Sequence, residues 1–256
     1  MIKDNYSRDA LAARLGDMCS LAEKRGSTVF SAFLNDREQY DAQILLGRRY
    51  GITAAFWGGD EACSRRMLAV SPEGNGEAEH GDFPIYTLTV AYRKADRPDH
   101  RAVLGSFMGL GIERDTVGDI FIGESAAAVY CTKTAHDVIL DGIVRVGRVG
   151  VSVSDGLSGD AAGAVRPVSF AEITVNAASE RADCIVAGIT GLSREKAAAY
   201  IRSGSFMLNY AECVNISRNV SAGDVLTLRG YGKFIVSEDA VITKKGRLRL
   251  TLKKYA

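Results

Sequence analysis

The chain has 256 residues, of which 46% are hydrophobic and 25% are charged, as is usual for a globular protein. No apolar run approaches the roughly 20 residues that span a bilayer. The opening residues carry acids and lack an apolar core, so they do not form a signal peptide, and we expect a cytoplasmic protein without a membrane partner. The five cysteines are odd in number and form no Cys-x-x-Cys pair, which argues against a disulfide framework and against a zinc site.

The first predicted module is an α/β module that covers residues 1–82. Leu11, Leu15 and Met18 recur at helical spacing, and Asn35 or Asp36 can cap a second helix. The tract that ends the module is rich in Gly, Glu and Pro, so we predict a linker or a long loop there. The predicted strands are residues 52–57 and 67–70, and the predicted linker is residues 71–82.

The second predicted domain covers residues 83–178. Its elements come close to the β-α-β-β-α-β order of ferredoxin-like domains, a common RNA-binding architecture. Alternation of apolar residues predicts the strands, and apolar residues at helical spacing predict the helices. A Gly- and Ala-rich loop at residues 154–164 is predicted to be mobile. The predicted strands are residues 85–92, 119–122, 127–131, 149–153 and 168–176, and the predicted helices are residues 101–108 and a segment that begins at Thr134.

The third predicted domain covers residues 179–256 and contains two short helices. Ser193 is predicted to cap the second helix, which has Ala197, Ala198 and Ile201 on its inner face and ends at Gly204. Basic residues stand on or beside both helices. Free backbone N–H groups and nearby cations both favour an anion at a helix start, so this arrangement predicts phosphate contacts. The alternative is a solvated helix pair with ordinary surface charges.

The charge of the chain is concentrated in this third domain. From Arg181 to the end there are 13 basic and 6 acidic residues, a net charge of +7, whereas the rest of the chain has 19 basic and 25 acidic residues, a net charge of −6. A basic terminal domain on an acidic body predicts a polyanionic partner for that domain. Near the end, Leu248, Leu250 and Leu252 alternate with basic residues, so a strand would bury leucines and present cations. We favour a phosphate-facing strand over a charged edge strand.

The order of residues between 181 and 224 resembles the S-four RNA-binding domain, which is named for ribosomal small-subunit protein four. The continuations RGYGKF and TKKGRLRL resemble one subgroup, the YlmH-like ribosome-associated proteins. This resemblance implies an α+β protein of several modules that ends in an S-four-type αL RNA-binding domain. The residues that carry it are Arg181, Asp183, Ser193, Arg194, Ala197, Ile201, Gly204, Asn209, Gly223 and Asp224.

Residues 99–122 also resemble the YlmH-like family, as does the segment FWGGDEACSRRMLAV in the first module. Gly109 and Gly111 are predicted to end a helix and form a tight turn, beside which Arg101 and Arg114 could meet a phosphate. The alternative is that the glycines serve chain reversal and packing only. The matching residues are His100, Arg101, Gly105, Gly109, Leu110, Gly111, Ile112, Arg114, Gly118, Asp119 and Ile120.

The candidate RNA-binding residues are all basic. They are Arg101, Arg114, Arg181, Arg194, Lys196, Arg202, Arg229, Lys233, Lys244, Lys245, Arg247 and Arg249. No catalytic residue, cofactor or metal ligand is expected, because the three histidines are scattered and the chain has no HExxH, P-loop or nucleophile-elbow sequence. Cys131 and His136 have no spacing that predicts contact. Asp119 lies in a Gly-Asp-Ile turn and not in the catalytic motif of pseudouridine synthases with an S-four domain.

These features predict a monomeric, non-enzymatic RNA-binding protein. The YlmH-like resemblance implies association with ribosomal RNA and tRNA on the large ribosomal subunit, and a role in rescue or quality control of stalled complexes. Two alternatives stay open. An RNA-modifying enzyme, either a pseudouridine synthase or a ribosomal RNA methyltransferase, would bind S-adenosylmethionine or modify ribosomal RNA. A division-associated scaffold protein would keep its localisation when ribosomes are depleted.

Overall fold

The computed structural model describes residues 7–47, 49–237, 241–243 and 247–255. The chain divides into two compact units, Met1–Pro167 and Val168–Ala256. The first predicted module and residues 83–167 of the second predicted domain therefore lie in one unit, and the predicted linker at residues 71–82 runs inside that unit. The predicted boundary at residue 178 falls within the second unit, because a strand on its N-terminal side pairs with the last strand of the chain.

The first unit begins with an antiparallel three-stranded sheet and two helices. Its elements are α1 (Arg8–Arg25), β1 (Val29–Leu34), α2 (Asp36–Leu46), β2 (Ile52–Trp57) and β3 (Arg66–Pro72), with strand order β1-β3-β2. Ser7 caps α1, and Asn35 caps α2 in a capping box with Glu38. The predicted helical stripe is confirmed, since Leu11 and Leu15 of α1 are buried in one core with both helices and the sheet.

The rest of the first unit is built on an antiparallel four-stranded sheet with strand order β5-β6-β4-β9. Its elements are β4 (Tyr86–Ala91), α3 (His100–Met108), β5 (Val117–Ile122), β6 (Ala126–Cys131), α4 (Lys133–Gly142), β7 (Arg145–Val146), β8 (Val149–Gly150), β9 (Ser152–Asp155) and α5 (Gly159–Ala164). Strands and helices of this sheet follow the order β-α-β-β-α-β, with β9 as the last strand. Phe107 of α3 and Ile139 of α4 pack with Leu88 and Val129 on one face.

The opposite face of the four-stranded sheet is also covered. Tyr130 on this face packs with Phe33 and Met67 of the three-stranded sheet. Ala161 of α5 packs on the small side chains of β6. The predicted mobile loop at residues 154–164 therefore contains a helix, which Asp160 fixes by accepting a hydrogen bond of 2.6 Å from the Ser125 N–H.

The second unit has a helix pair on one sheet. Its elements are β10 (Phe170–Ala177), α6 (Ala182–Thr190), α7 (Arg194–Arg202), β11 (Phe206–Leu208), β12 (Ala211–Glu212), β13 (Val225–Leu228), β14 (Gly232–Val236), β15 (Val241–Ile242) and β16 (Leu248–Tyr255). The strand order is β10-β16-β14-β13-β11-β12, and β15 also pairs with β16. Ile185 of α6 and Ile201 of α7 are buried against Phe206 and Phe234 of the sheet. Gly188 allows α6 to approach β10, because a Cβ there would lie 2.3 Å from Val175 Cγ1.

Strand β16 is an interior strand, since β10 pairs with one of its edges and β14 and β15 pair with the other. The predicted alternation is confirmed: Leu250 and Leu252 are buried, whereas Arg249 and Lys253 are exposed. Because β16 is paired on both sides, its basic side chains do not protect a free edge. They project from the face of the sheet.

Candidate RNA interface

A buried carboxylate joins the starts of the two helices in the second unit. Arg181, which precedes α6, donates to both oxygens of Asp183, at 3.0 Å from Nε and 3.2 Å from Nη2. Arg194, the first residue of α7, donates from Nε to the same carboxylate at 2.9 Å. The Asp183 side chain is 4% exposed, while those of Arg181 and Arg194 are 35% and 60% exposed. One carboxylate thus holds two guanidinium groups side by side near the surface.

The electrostatics of this cluster favour the ion pairs at neutral pH. Burial raises the pKa of Asp183, but the hydrogen bonds from Arg181 and Arg194 and their charges outweigh burial and lower the pKa from 3.8 to about 2. Asp183 is therefore ionised across the physiological range. Two cations around one anion leave the cluster with a net positive charge, which suits a phosphate.

The start of α6 does not offer free backbone donors to an anion. The N–H of Ala182 donates to the carbonyl of Arg218 at 2.8 Å, and the N–H of Asp183 donates to the carbonyl of Ile216 at 3.1 Å. The expectation of free N–H groups at this helix start is wrong, because the loop before β13 caps it. Anion binding at α6 would depend on side chains instead. Ser193 caps α7 as predicted, accepting from the Lys196 N–H at 3.3 Å.

Most of the remaining candidates in the second unit are exposed. The exposed ones are Lys196, Arg202, Arg229, Arg247 and Arg249, and Lys233 is half-buried. The candidates Lys244 and Lys245 lie outside the described residues. Among the described candidates, the contacts with Asp183 bring together Arg181 and Arg194. Lys196 lies in the first turn of α7, two residues after Arg194.

The two arginines predicted in the first unit differ in environment. Arg114 turns inward and donates from Nη1 to the carbonyls of Val117 and Gly118 at the start of β5, so its role in the structure is to fix that strand. Arg101 is exposed on α3. Asp119 accepts from the Arg65 N–H at 2.7 Å and joins β5 to the turn after β2.

Comparison with known proteins shows which proteins this chain resembles. Residues 78–157 match the family model described as "Putative RNA-binding domain in YlmH". The chain is 28% identical over 223 residues to the ribosome-associated protein quality control protein P2 of Bacillus subtilis (strain 168), over 87% of this chain and 85% of that protein. The chain is therefore similar to YlmH proteins. Its fold is similar to that of the cell division protein ylmH from Streptococcus pneumoniae, with a TM-score of 0.52 and 20% identity over 61% of this chain and 96% of that chain.

The matched segment of this YlmH-like chain contains the whole four-stranded sheet. Ferredoxin-like RNA-binding domains commonly stack bases on aromatic residues of an open sheet face. Here that face is closed, since Tyr130 is 2% exposed and packs against the three-stranded sheet. A Cβ at Gly59 would lie 2.5 Å from the Tyr130 ring, so this packing is close. The four-stranded sheet therefore cannot act as a stacking platform in this arrangement.

Sequence reasoning missed three features of the interface. Arg218 is exposed beside the start of α6, but it lies in a segment with no periodic pattern, so only its charge could have indicated it. Asp183 was recognised as part of a resemblance without a physical role. Lys233 Nζ lies 4.6 Å from the ring centroids of both Tyr210 and Tyr255. Alternation along β16 could have placed Tyr255 on the face of Arg249, but contact between separate strands has no local signal.

Cys131 and His136, whose side chain types can serve in catalysis, both have structural partners in this chain. Burial raises the pKa of the Cys131 thiol to about 12, and this thiol contacts the carbonyl oxygen of Tyr86 at 3.7 Å. His136 contacts Asp137 at 2.9 Å and Asp155 at 3.0 Å through its two ring nitrogens. Among the described residues, no three His, Cys, Asp or Glu side chains are grouped to hold a metal ion. No helix in the described ranges is long and apolar enough to cross a membrane.

Proposed function

We propose that this YlmH-like protein binds structured RNA, namely ribosomal RNA and tRNA on the large ribosomal subunit, and acts in the rescue or quality control of stalled complexes. The observation that carries the proposal is the arginine pair held by Asp183 at the helix starts. The relative from Bacillus subtilis, named a ribosome-associated protein quality control protein, supports the ribosomal part. The net charge of +7 from residue 181 onward supports a polyanionic ligand.

The arginine pair is suited to recognise RNA backbone. Each guanidinium carries five N–H donors in a fixed fork, and Asp183 accepts two from Arg181 and one from Arg194. Holding the guanidinium groups in place lowers the entropy lost when they bind a phosphate, and it fixes the direction of the remaining donors. Phosphate contacts of this kind position a protein on folded RNA without reading its sequence.

The second unit is, in this proposal, an S-four-type RNA-binding domain. Its support is the order of elements over residues 181–236, with two short helices packed on a sheet and a fixed turn between β11 and β13. Asn209 donates from Nδ2 to Asp224 at 2.7 Å and accepts from the Val225 N–H at 2.8 Å, although it has a φ of +50°. These contacts hold together residues that carry the sequence resemblance.

The proposal also treats the protein as a monomeric binding protein in the cytoplasm and not as an enzyme. The high pKa of the Cys131 thiol makes it a poor nucleophile, and His136 is paired with two carboxylates. Asp119 joins β5 to the turn after β2 through the Arg65 N–H. These roles support binding without catalysis. Transfer of a methyl group to ribosomal RNA by the purified protein would refute this part.

The test is sedimentation of the full-length protein with large ribosomal subunits through a sucrose gradient at physiological salt. The variant Arg181→Gln/Arg194→Gln should stay at the top of the gradient while the wild type runs with the subunits. Arg25→Gln/Arg166→Gln is a matched control, because it removes two exposed charges from the first unit outside the segment that matches the RNA-binding family model. Wild-type protein that stays at the top would refute the ribosomal assignment. If both double variants sediment with the subunits as the wild type does, the arginine pair has no role in binding.

A further inference from the structure

The sheet of the second unit has a face that the helices leave open. Side chains alternate along each strand, and Phe234 and Leu252 on one face are buried under α6 and α7. Their neighbours Lys233, Lys253 and Tyr255 therefore point to the opposite face. This open face is distinct from the helix starts that carry Arg181 and Arg194, since the sheet lies between them.

The open face carries a connected group of aromatic rings around a cation. Lys233 Nζ lies between the rings of Tyr210 and Tyr255, at 4.6 Å from each centroid. The ring of Phe170, on the neighbouring strand β10, meets Tyr255 edge-on with centroids 4.9 Å apart. Phe170 is 44% exposed, so this aromatic group reaches the surface.

The charges around the aromatic group favour an anionic partner. Arg249 and Lys253 are exposed on the same face of β16. Glu172 lies opposite Lys253 on β10, and Glu212 lies at the far end of the sheet on β12. Together with Lys233, the cations outnumber the acids. Aromatic rings beside cations match the two parts of a nucleotide, a flat base and a phosphate.

We propose that this open face binds an unpaired segment of RNA, with bases stacked on Phe170 and Tyr255 and phosphates near Arg249 and Lys253. The inference rests on the proposed function and deepens it, because it assigns single-stranded RNA to the sheet and backbone of folded RNA to the arginine pair. Base stacking on aromatic rings tolerates any sequence, since every base has a flat face. The second unit would then contact RNA on two different surfaces.

Two RNA probes separate these surfaces in a fluorescence anisotropy titration of the full-length protein. One probe is a labelled 12-nucleotide oligouridine, and the other is a labelled blunt RNA duplex. The variant Phe170→Leu/Tyr255→Leu keeps apolar side chains but removes both rings, and it should bind oligouridine roughly tenfold or more weakly. Its affinity for the duplex should change less than about twofold. Tyr255→Phe keeps the ring and should bind as the wild type does.

A control variant and a folding check accompany the anisotropy titration. Tyr231→Leu removes a ring that packs edge-on against Tyr200 of α7, outside the open face, and should leave oligouridine binding unchanged. If circular dichroism shows that the double variant is unfolded, the single variant Phe170→Leu replaces it. Equal oligouridine affinity of variant and wild type would overturn the inference and leave the proposed function standing. Failure of the wild type to bind either RNA would refute the proposed function.

A protein partner is the competing occupant of the open face. If the double variant binds both RNA probes as the wild type does but no longer sediments with large ribosomal subunits, the face contacts a protein and the inference is overturned. If it loses oligouridine binding and also sediments less with the subunits, the two measurements agree that the face meets unpaired RNA.

Discussion

Replacing Asp183 by Asn separates two possible roles of the arginine pair. The change keeps the shape of the side chain and removes the charge that Arg181 and Arg194 share. If the arginines supply only positive charge, raising the net charge by one should strengthen RNA binding. If Asp183 positions them for phosphate, binding should weaken despite the extra charge. We expect binding to weaken about five- to thirtyfold, which corresponds to roughly 1–2 kcal/mol.

The same change should destabilise the second unit. The difference between a pKa of 3.8 and one of about 2 for Asp183 corresponds to roughly 2 kcal/mol of stability at neutral pH. Because Arg181 and Arg194 are partly exposed, solvent screening reduces the expected loss to about 1–2 kcal/mol. A lowered pKa means that this contribution is present above about pH 4 and is lost as the pH falls towards 2.

Hydrogen–deuterium exchange at neutral pH checks the stability, and anisotropy titration with structured RNA checks the binding. Peptides from α6 and α7 should exchange faster in Asp183→Asn, while peptides from α4 in the first unit serve as an internal reference. Glu195→Gln is the matched control, since it makes the same change in charge at an exposed position beside Arg194. If Asp183→Asn binds RNA as tightly as Glu195→Gln does, or more tightly, Asp183 does not position the arginines for phosphate.

Three further predictions follow from single side chains. Arg194→Ala should weaken RNA binding by about 1–3 kcal/mol and Arg194→Lys should recover part of it, because lysine lacks the guanidinium fork; equal binding by all three proteins in a titration would contradict this. Burial lowers the pKa of His136, but hydrogen bonds to Asp137 and Asp155 outweigh burial and raise it. His136→Gln should therefore lower the melting temperature most below about pH 6.5, with the loss shrinking as the pH rises through the raised pKa; a loss independent of pH would exclude this account. Arg114→Ala should destabilise the first unit by about 1–3 kcal/mol in urea unfolding without changing RNA affinity, whereas an RNA defect with unchanged stability would restore the sequence-based role.

Local patterns in the sequence were enough to predict both helices and the last strand of the second unit. Ser193 caps α7 because a hydroxyl before a helical stripe has one favourable partner, the N–H three residues later. The burial of Leu250 and Leu252 follows from alternation along a strand that is covered on one face. Gly223 and Asp224, which carry part of the sequence resemblance, lie in the turn before β13, where the Asp224 N–H donates to the Ser221 carbonyl at 3.1 Å.

Features that depend on distant partners could not be predicted from the sequence. Strand β10 has the alternation of a strand, but nothing near residue 170 shows that its partner is β16 at the end of the chain. Helix α5 is short and rich in Gly and Ala, and it forms because it packs on the small side chains of β6. The inward direction of Arg114 and the position of Lys233 between two rings likewise depend on tertiary contacts.

The most direct test of the central claim is ultraviolet crosslinking of the full-length protein in cells, followed by identification of both the crosslinked RNA and the crosslinked peptides. We expect RNA of the large ribosomal subunit attached to peptides from residues 181–218, and we expect this signal to fall in Arg181→Gln/Arg194→Gln but not in Arg25→Gln/Arg166→Gln. Crosslinks that contain no large-subunit RNA, or crosslinks to these peptides that persist unchanged when the arginine pair is removed, would contradict the account.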